Sequence, residues 1–432
     1  MIQKLQEIII DFQKSPLYTG TWRELEVSVV DKKASVIIGV RRCGKSTKLN
    51  QRVSLLISEG IPMENILFVN FFDDRLSGLK QEGLDKVLDA YFLLYPGKKY
   101  REKVFCFFDE IQVIPGWESF IDRILRNERC EVWLTGSSAK MLSKEIGSRM
   151  RGRALSWELF PFSFSEHLAH QQIAPEIPAA SGKRLKIQRA WADYFDQGGF
   201  PEVMNLDRHL RIKIHQEYLN SILFRDVIER YDISHPRAVV DLAMRLLENV
   251  GSLYTLNGLT QYLHSLGHKV PKGTVADYLL WLEDAYFLFT VRMFDASYRK
   301  SNANPKKIYA IDHSFVRSVT SGILVNNGHL LENLVYVTLR RKSSSVYYYR
   351  TASNHEIDFL VLDQKRKISL FQVCETIANP VTRQREIVAL KNAMKELALP
   401  ESFLITREGS DQIETPAGII HVIPVWQFLL LK

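Results

Sequence analysis

The N-terminal half of the chain alternates short apolar runs with stretches of helical periodicity. The apolar runs are rich in β-branched and aromatic residues and are bounded by polar turns, which is typical of buried strands. After the first run, apolar residues recur at helical spacing from Leu49 to Leu56, until Gly60 and Pro62 end the helix. This alternation predicts an α/β fold. The predicted strands lie at 34–38, 104–108, 131–135 and 154–160.

The middle of the chain has a helical pattern. One helical stretch runs from about 190 to 233, and three further helices follow it. Two of these, at 256–266 and 273–282, are joined by a turn of the length found in helix-turn-helix motifs. A strand at 287–293 and a basic loop at 299–307 are then expected to form a wing.

Strand-like runs dominate the chain beyond residue 346. A strand at 346–350 precedes a predicted hairpin, 355–362 and 368–374, whose strands are separated by a charged turn. A helix at 382–397 follows. Two more strands, at 402–406 and 421–425, complete a second α/β domain.

Composition places the chain among ordinary globular proteins. Its 432 residues predict two to four domains, since a domain has roughly 150 residues. No window approaches the roughly 18 apolar residues of a membrane helix, and the N-terminus lacks a signal-peptide cleavage site. Four scattered cysteines without a CxxC pair argue against a disulfide scaffold or a zinc site. The net charge of +8 is compatible with nucleic-acid binding without requiring it.

A phosphate-binding loop follows the first predicted strand. Residues 39–46, Gly-Val-Arg-Arg-Cys-Gly-Lys-Ser, match GxxxxGK[ST] in full. The glycines allow backbone N–H groups to point at phosphate oxygens, Lys45 neutralises the β- and γ-phosphates and assists catalysis, and Ser46 holds Mg²⁺. The helix that follows favours negative charge at its N-terminus. We predict that the nucleotide is bound by Gly39, Val40, Arg41, Arg42, Cys43, Gly44, Lys45, Ser46 and Thr47.

A second motif lies about 60 residues further on. The strand at 104–108 ends in Asp109-Glu110, which is the Walker B arrangement. Alone, an apolar strand followed by two carboxylates is more often a strand that enters a loop, but its position after the phosphate-binding loop makes the pair specific. Asp109 is expected to hold the hydration shell of Mg²⁺, and Glu110 to orient and polarise the attacking water. The two motifs predict binding and hydrolysis of ATP or GTP.

Further candidates for contact with the γ-phosphate follow the strand at 131–135. Ser137 or Ser138 fits the role called sensor 1, and the alternative is a serine-capped start of a helix. Arg149, Arg151 and Arg153 are expected to reach a γ-phosphate in cis, or in trans as fingers of a neighbouring subunit. For any one of these arginines, a solvated basic loop is the alternative. Ser137 and Arg151 are the predicted catalytic members of the two groups.

These motifs resemble a large bacterial and archaeal family of AAA-type ATPases, and the resemblance covers nearly the whole chain. It implies a P-loop ATPase core at 1–170, a helical lid or connector at 171–235, a winged helix at 236–312 and a domain similar to restriction endonucleases at 313–432. It also implies ATP in preference to GTP, and Arg225 as a phosphate sensor in the helical lid. Further matching segments are Leu134 to Ser138, Pro161 to Phe164, Gly198 to Glu202, Phe224 to Val227 and Lys306 to Asp312.

The helix-turn-helix segment is a candidate DNA reader. If it binds DNA, Lys269, Lys272 and Thr274 at the start of its second helix are expected to face the groove, with the wing on phosphates. The same helix also carries acidic residues such as Asp277, and winged helices often serve only as spacers between proteins. DNA contact and protein contact both remain open at this point.

The predicted hairpin near the C-terminus departs from the nuclease pattern. In restriction-like nucleases this hairpin carries Asp and then Glu-x-Lys; the carboxylates hold Mg²⁺, and the lysine positions or activates water. Here Asp358 is present and Glu332 matches an upstream helical glutamate, but Gln372 and Cys374 occupy the Glu and Lys positions. Cysteine does not replace lysine as a fixed cation. We therefore predict a degenerate nuclease domain, retained for binding nucleic acid or a partner.

The favoured hypothesis is an ATP-driven switch or motor with ATP and Mg²⁺ as cofactors. Nucleotide state would set the posture of the winged helix and the C-terminal domain on double-stranded DNA or on a protein partner. One alternative is a nucleotide-gated signalling or defence protein that binds a protein without DNA, and the other is an ATP-dependent nuclease. A homo-oligomer is expected if an arginine acts in trans. Scattered cysteines and the lack of a membrane segment predict a cytoplasmic location without membrane contact.

Overall fold

The computed structural model describes residues 1–136, 150, 152–175, 181–295, 297–319 and 326–431. The chain forms two compact units, Met1–Phe160 and Pro161–Lys432, here called unit 1 and unit 2. Within the described ranges, no helix combines the length and the apolar character needed to cross a bilayer. The division into four domains at 1–170, 171–235, 236–312 and 313–432 stays a prediction.

Unit 1 is built on a five-stranded parallel sheet. Its strands are β1 (Ala34–Ile38), β2 (Ile66–Asn70), β3 (Val104–Asp109), β4 (Cys130–Gly136) and β5 (Ala154–Glu158). Their order is β2-β3-β4-β1-β5, and every neighbouring pair is parallel. All residues of β1 and β3 are buried, which explains apolar runs that do not alternate with polar residues. The helices are α1 (Ile2–Lys14), α2 (Lys45–Ser58), α3 (Leu79–Glu82), α4 (Asp85–Leu94) and α5 (Trp117–Asn127).

The four predicted strands of unit 1 are confirmed, with β5 ending two residues before the predicted end at 160. β2 lies outside the predictions, because a run of four or five apolar residues does not distinguish a strand from a buried helix segment. β4 lies between β1 and β3, so the carboxyl ends of three parallel strands meet at one edge of the sheet. This strand order brings the phosphate-binding loop and the Walker B carboxylates to the same edge.

The first part of unit 2 is helical and contains a small antiparallel sheet. Strands β6 (Leu253–Tyr254), β7 (Leu288–Val291) and β8 (Lys306–Ala310) form it, with β8 in the middle. The helices are α6 (Phe164–His170), α7 (Ser181–Gln197), α8 (Arg208–Ser221), α9 (Pro236–Glu248), α10 (Leu256–Ser265), α11 (Lys272–Asp284), α12 (Tyr298–Ala303) and α13 (His313–Val319), and a π-helical turn, Ile222–Ile228, follows α8. The helices predicted at 256–266 and 273–282 are thus confirmed as α10 and α11.

The predicted basic wing loop at 299–307 is wrong. These residues form α12 and the start of β8, and β8 pairs with a strand on each side. Lys307 is only 2% exposed, because its ammonium group points into a cluster of carboxylates described below. Lys307 therefore belongs to the interior of unit 2, while its neighbour Lys306 is half-buried.

The second part of unit 2 is a six-stranded mixed sheet with the order β13-β14-β12-β11-β10-β9. The three central strands, β11, β12 and β14, are parallel, and the remaining pairs are antiparallel. Leu390, Ala393 and Met394 of α15 pack on the sheet. The elements are α14 (Asn327–Lys342), β9 (Val346–Arg350), β10 (Glu356–Leu362), β11 (Ile368–Cys374), α15 (Pro380–Glu396), β12 (Glu401–Thr406), β13 (Asp411–Thr415), β14 (Gly418–Pro424) and α16 (Val425–Phe428).

Short 3-10 turns complete the described secondary structure. They lie at Met63–Asn65, Asp74–Leu76, Pro96–Lys98, Ile111–Val113 and Pro201–Val203. The turn at Ile111–Val113 matters for the site, since it begins directly after the Walker B carboxylates. The predicted strands and helix of the C-terminal α/β domain are confirmed; β13 was not predicted, because it is a polar edge strand without an apolar run.

Candidate functional site

The phosphate-binding loop connects the end of β1 to the first residue of α2. Gly39 has a φ of 151°, and a Cβ at this position would lie 2.1 Å from the carbonyl oxygen of Leu159. Gly44 caps the N-terminus of α2 in a left-handed conformation with a φ of 97°. Both positions therefore require glycine, for steric and for conformational reasons respectively.

Lys45 is buried inside the loop that it completes. Its Nζ donates to the carbonyl oxygens of Gly39 and Val40 at 3.1 Å each, and the residue is 5% exposed. The cation thus lies within the curl of the loop at the N-terminus of α2, where backbone N–H groups also favour an anion. This is the arrangement that Lys45 needs for binding phosphate.

Arg23 braces the phosphate-binding loop, although no motif includes it. Its guanidinium donates to the carbonyl oxygen of Cys43 at 2.6 Å and to that of Phe160 at 2.5 Å. Its backbone N–H donates to Oε1 of Gln51, whose Nε2 donates to the carbonyl oxygens of residues 19 and 21 at 2.8 Å each. The segment before β1 is therefore tied both to the loop and to α2.

The Walker B aspartate lies beneath the loop in a dry environment. Asp109 is 2% exposed, and burial raises the pKa of its carboxyl group, while hydrogen bonds from Thr135 and Ser46 lower it. Thr135 belongs to β4, the strand between the two motif strands. The hydroxyl of Ser46 and the carboxylate of Asp109, predicted as metal ligands, are therefore in contact with each other.

Glu110 has an unusual backbone conformation. Its φ of 55° places a non-glycine residue in the left-handed region, and its backbone N–H donates to Oγ1 of Thr135 at 2.9 Å. The amide of Gln112 donates to the Glu110 carboxylate. Residues held in such conformations cluster at functional sites. Thr135 and Gln112 thus fix the backbone and the side chain of the predicted catalytic base.

The other predicted γ-phosphate contacts are placed differently. Ser137, Ser138, Arg149 and Arg151 lie outside the described residues. Arg153 forms an ion pair with Asp122 of α5, 3.3 Å away. The predicted sensor Arg225 is exposed on the π-helical turn of unit 2. The predicted roles of all six residues stay predictions.

The residues of unit 1 fit Mg²⁺ and a nucleotide triphosphate. Hard cations such as Mg²⁺ take few protein oxygen ligands and keep several waters, which the Ser46 hydroxyl and the Asp109 carboxylate suit. Among the described residues, no group of three or more His, Cys, Asp or Glu side chains is placed to hold a metal ion alone. A two-ligand site that is completed by phosphate oxygens is consistent with both observations.

A buried lysine lies at the centre of the predicted nuclease site in unit 2. Nζ of Lys307 is 3.0 Å from the Glu332 carboxylate and 2.9 Å from those of Asp358 and Glu356. The hydroxyl of Tyr309 donates to Glu332 at 2.6 Å. The predicted hairpin has no lysine at the position of the nuclease pattern, but Lys307 of β8 provides a fixed cation at the same carboxylates.

The remaining nuclease positions are only partly brought together. Asp358 Oδ2 accepts from the backbone N–H of Val373 at 2.9 Å, and the Gln372 side chain bonds the Asp358 backbone at 3.2 Å and Glu386 at 2.8 Å. Cys374 turns elsewhere, since its thiol donates to the carbonyl oxygen of Thr376 at 3.1 Å. Gln372 thus anchors a carboxylate, while Cys374 takes no part in the carboxylate cluster.

Burial and the neighbouring charges shift the pKa values of Lys307 and Glu332 in the cluster. The four neighbours Asp358, Tyr309, Glu332 and Glu356 raise the pKa of Lys307 against the effect of burial. Burial, followed by the charge of Asp358, raises the pKa of Glu332 to about 7. Lys307 was missed because a Lys-Lys pair suggests a surface; its alternation with Tyr309 on one strand face is the signal that could have found it.

The predicted DNA-contact residues lie at the start of α11. Lys269 is exposed in the turn before this helix, Lys272 is exposed as its first residue, and Thr274 is half-buried. Asp277 is exposed further along the same helix. The two lysines and Asp277 are thus on the surface, whereas Thr274 is only partly so, and the predicted contact of this helix with DNA stays a prediction.

Comparison with known proteins identifies the N-terminal part. Residues 31–168 match the family model of an AAA domain, and 188–323 and 327–428 match two domains of unknown function. An uncharacterized protein of Methanocaldococcus jannaschii is 29% identical over 418 residues, which are 94% of this chain and 90% of that protein. An uncharacterized protein of Haemophilus influenzae is 28% identical over 399 residues, or 91% of this chain and 94% of that one.

Among solved structures, the chain is similar to the Walker-type ATPase of Pyrococcus abyssi. The identity is 14%, the TM-score is 0.41, and the match covers 73% of this chain and 93% of that protein. The AAA family match over 31–168 contains the phosphate-binding loop, Asp109, Glu110 and all five strands of the parallel sheet. The N-terminal segment, residues 31–168, therefore matches the AAA domain family, whereas the two segments that follow match domains of unknown function.

Proposed function

We propose that this protein is a Mg²⁺-dependent ATPase switch whose nucleotide state controls the binding of double-stranded DNA by unit 2. The observation that carries the ATPase part is the grouping of Asp109, Thr135 and Glu110 at one sheet edge beside the loop of Lys45. The DNA part is supported by the exposed lysines at the start of α11 and by the net charge of +8.

The residues of unit 1 divide the work of hydrolysis among them. The loop N–H groups and Lys45 bind the β- and γ-phosphates, and Ser46 and Asp109 hold Mg²⁺, which neutralises phosphate charge when bound. Glu110 accepts a hydrogen bond from the attacking water and orients it toward the γ-phosphate. Thr135 and Gln112 keep Glu110 in its left-handed conformation and aim its carboxylate. ATP, rather than GTP, rests on the family.

The test is the steady-state ATPase rate of the wild type and of Glu110→Gln, each with and without duplex DNA. We expect DNA to raise the wild-type rate several-fold, and Glu110→Gln to lower the rate by roughly 10²-fold or more, since a positioned general base contributes roughly 10²–10⁴-fold. A wild-type rate that DNA leaves unchanged would contradict the DNA coupling. A rate that Glu110→Gln leaves unchanged would remove the role of Glu110.

A second candidate function is a switch that binds a protein partner. It is favoured by two exposed leucines, Leu266 and Leu280, which are 49% and 52% exposed near the predicted DNA face. Retention on immobilised duplex DNA at increasing salt separates the DNA-binding switch from the protein-binding switch. When a protein contacts DNA phosphates, the logarithm of its binding constant falls linearly with the logarithm of the salt concentration. Retention that is absent even at low salt supports the protein partner.

We further propose that the C-terminal domain does not cleave nucleic acid. The ammonium of Lys307 lies among Glu332, Glu356 and Asp358, where it neutralises carboxylates that a nuclease would offer to a metal ion. The ATPase preparations should therefore leave duplex DNA intact in the presence of Mg²⁺. Cleavage that Asp358→Ala abolishes would support the nuclease alternative instead. An oligomer with an arginine acting in trans also stays a proposal.

A further inference from the structure

We propose that unit 2 contains a second anion site, separate from the phosphate-binding loop, which takes a small oxyanion of the phosphate class. The site is a cavity of about 260 Å³ between α7, α8 and α13. Among the described residues it is lined by three arginines, Arg208, Arg211 and Arg317, and by one carboxylate, Asp196. Three positive charges against one negative charge leave an excess of two.

Two of the three arginines, Arg211 and Arg317, are held in place by contacts with Asp196 and Asn327. Asp196 accepts from Nη2 of Arg211 at 2.7 Å and lies 3.5 Å from Nη1 of Arg317. The other terminal nitrogen of Arg317 donates to Asn327 at 3.1 Å. Its Nε is buried and has no hydrogen-bond partner among the described residues. A buried donor without a partner is costly, and it leaves the guanidinium of Arg317 with hydrogen-bonding capacity that its contacts with Asp196 and Asn327 do not use.

Positive charge is concentrated around Arg317. Its guanidinium lies over the ring of Phe195 at 4.7 Å, and that of Arg407 lies over the same ring at 5.7 Å. Burial lowers the pKa of Arg317; Asp196 raises it, and the charges of Arg407 and Arg208 lower it again. Arg208 is exposed and has no carboxylate partner in the described part of the chain. An anion is therefore favoured here.

The floor of the cavity is polar, neutral and rigid. Nδ1 of His215 and Oγ of Ser318 are hydrogen-bonded at 2.8 Å, and both residues are buried. Burial lowers the pKa of His215 to about 4, so that the ring is neutral at pH 7. Both ring nitrogens of His215 have hydroxyl partners, Ser318 at Nδ1 and Ser314 at Nε2, 3.4 Å away, so this part of the lining adds no charge. The arginines therefore provide the charge, and the floor provides the shape.

The size and chemistry of the cavity limit the ligand. Its volume lies below the range of about 300–1,000 Å³ that is usual for sites of drug-sized ligands. Guanidinium groups present planar pairs of donors that match the oxygens of phosphate. A phosphate group fits this chemistry, whether it belongs to a free anion such as pyrophosphate or to a nucleic-acid backbone.

The test measures pyrophosphate binding by titration calorimetry to the full chain carrying Lys45→Ala, in which the phosphate-binding loop is disabled. We expect binding to remain in this background, and we expect Arg208→Gln or Arg317→Gln to weaken it about tenfold or more, the effect of losing a charged hydrogen bond. Arg237→Gln is the matched control, since Arg237 is exposed near the start of α9. It should leave the affinity unchanged.

Two outcomes would overturn the proposal. One is the absence of pyrophosphate binding to the Lys45→Ala chain at millimolar concentration, and the other is an equal affinity in the Arg208→Gln variant and the Arg237→Gln control. Arg208→Gln removes no ion pair among the described residues, and thermal unfolding of each variant checks that it is folded. If duplex DNA competes with pyrophosphate for the cavity, the ligand of the site is a phosphate group of a nucleic-acid backbone. If duplex DNA does not compete, the ligand is a free anion. Neither result depends on ATP hydrolysis.

Discussion

Arg23 shows how a single side chain outside any motif supports the nucleotide site. It is 6% exposed and donates to two main-chain carbonyl groups, one inside the phosphate-binding loop and one 137 residues away in sequence. One guanidinium group thus provides hydrogen-bond donors for the carbonyl oxygens of both Cys43 and Phe160. The arginine therefore links the phosphate-binding loop to the segment that directly follows β5.

Replacing Arg23 by methionine should destabilise unit 1 and weaken ATP binding together. Two charge-assisted hydrogen bonds to buried carbonyl groups are lost, and each contributes about 1.5–3 kcal/mol. We expect a free energy of unfolding lower by about 3 kcal/mol, which denaturant titration measures, and a higher Kd for ATP. Arg101→Met, at an exposed position of the same unit, is the control. Equal ATP affinity in both variants would contradict the bracing role of Arg23.

At the scale of elements, the carboxylate cluster joins three parts of unit 2. Lys307 comes from β8, Glu332 from α14, and Asp358 and Glu356 from β10. One buried ammonium thus forms ion pairs that link the antiparallel sheet, which contains β8, to α14 and to the mixed sheet, which contains β10. Removing one partner of such a buried group is expected to cost about 3–5 kcal/mol, because the other charges are left without compensation.

The stability of this cluster should depend on pH through Glu332. Its pKa of about 7 in the folded protein lies above the unfolded value of roughly 4.3, so the folded state binds the proton more tightly. The stabilisation is complete below the unfolded pKa and is lost as the pH rises through 7. Between pH 5 and pH 8, we expect the free energy of unfolding of the wild type to fall relative to Glu332→Gln by on the order of 2 kcal/mol.

Denaturant unfolding of both proteins at the two pH values measures this difference. The comparison with Glu332→Gln matters because other groups titrate in the same window. Burial lowers the pKa of His167 and of His215 to about 4, so these residues contribute stability that is lost as the pH falls below their unfolded pKa. A wild type that follows Glu332→Gln in parallel at both pH values would show that Glu332 is ionised throughout.

At the scale of the whole molecule, the two units have separate cores. Unit 1 centres on a parallel sheet and unit 2 on helices and a mixed sheet. The residues predicted to form the nucleotide and Mg²⁺ site, namely the phosphate-binding loop, Asp109 and Glu110, belong to unit 1. A ligand stabilises the structure that binds it by RT ln(1 + [L]/Kd), or about 2.7 kcal/mol at a hundredfold excess over Kd.

Calorimetry of the full chain should therefore resolve two unfolding transitions. Mg²⁺ and a non-hydrolysable ATP analogue should raise the melting temperature of one transition only, and Lys45→Ala should remove that shift. If the analogue instead raised a single transition of the whole chain, the two units would unfold as one cooperative body. The separate response of the units would then be refuted.

The sequence by itself determined those features whose chemistry is local. The phosphate-binding loop is a run of eight residues, and the strands of the sheet appear as uninterrupted apolar runs, because buried parallel strands are apolar on both faces. Asp109 and Glu110 were predicted for the same reason, since they directly follow one such strand. The AAA-type fold and the helix pair at α10 and α11 followed from these patterns and from the family resemblance.

Only the tertiary structure decided which distant side chains complete each site. Thr135 reaches Asp109 across 26 residues because β4 lies next to β3, and Lys307 reaches Asp358 across 51 residues because α14 packs on both β8 and β10. Sequence spacing carries no record of such neighbours, since strand order is set by packing of the whole sheet. The same reason explains Lys307. A Lys-Lys pair is expected on a surface, but the second lysine of this pair is the buried cation of the carboxylate cluster.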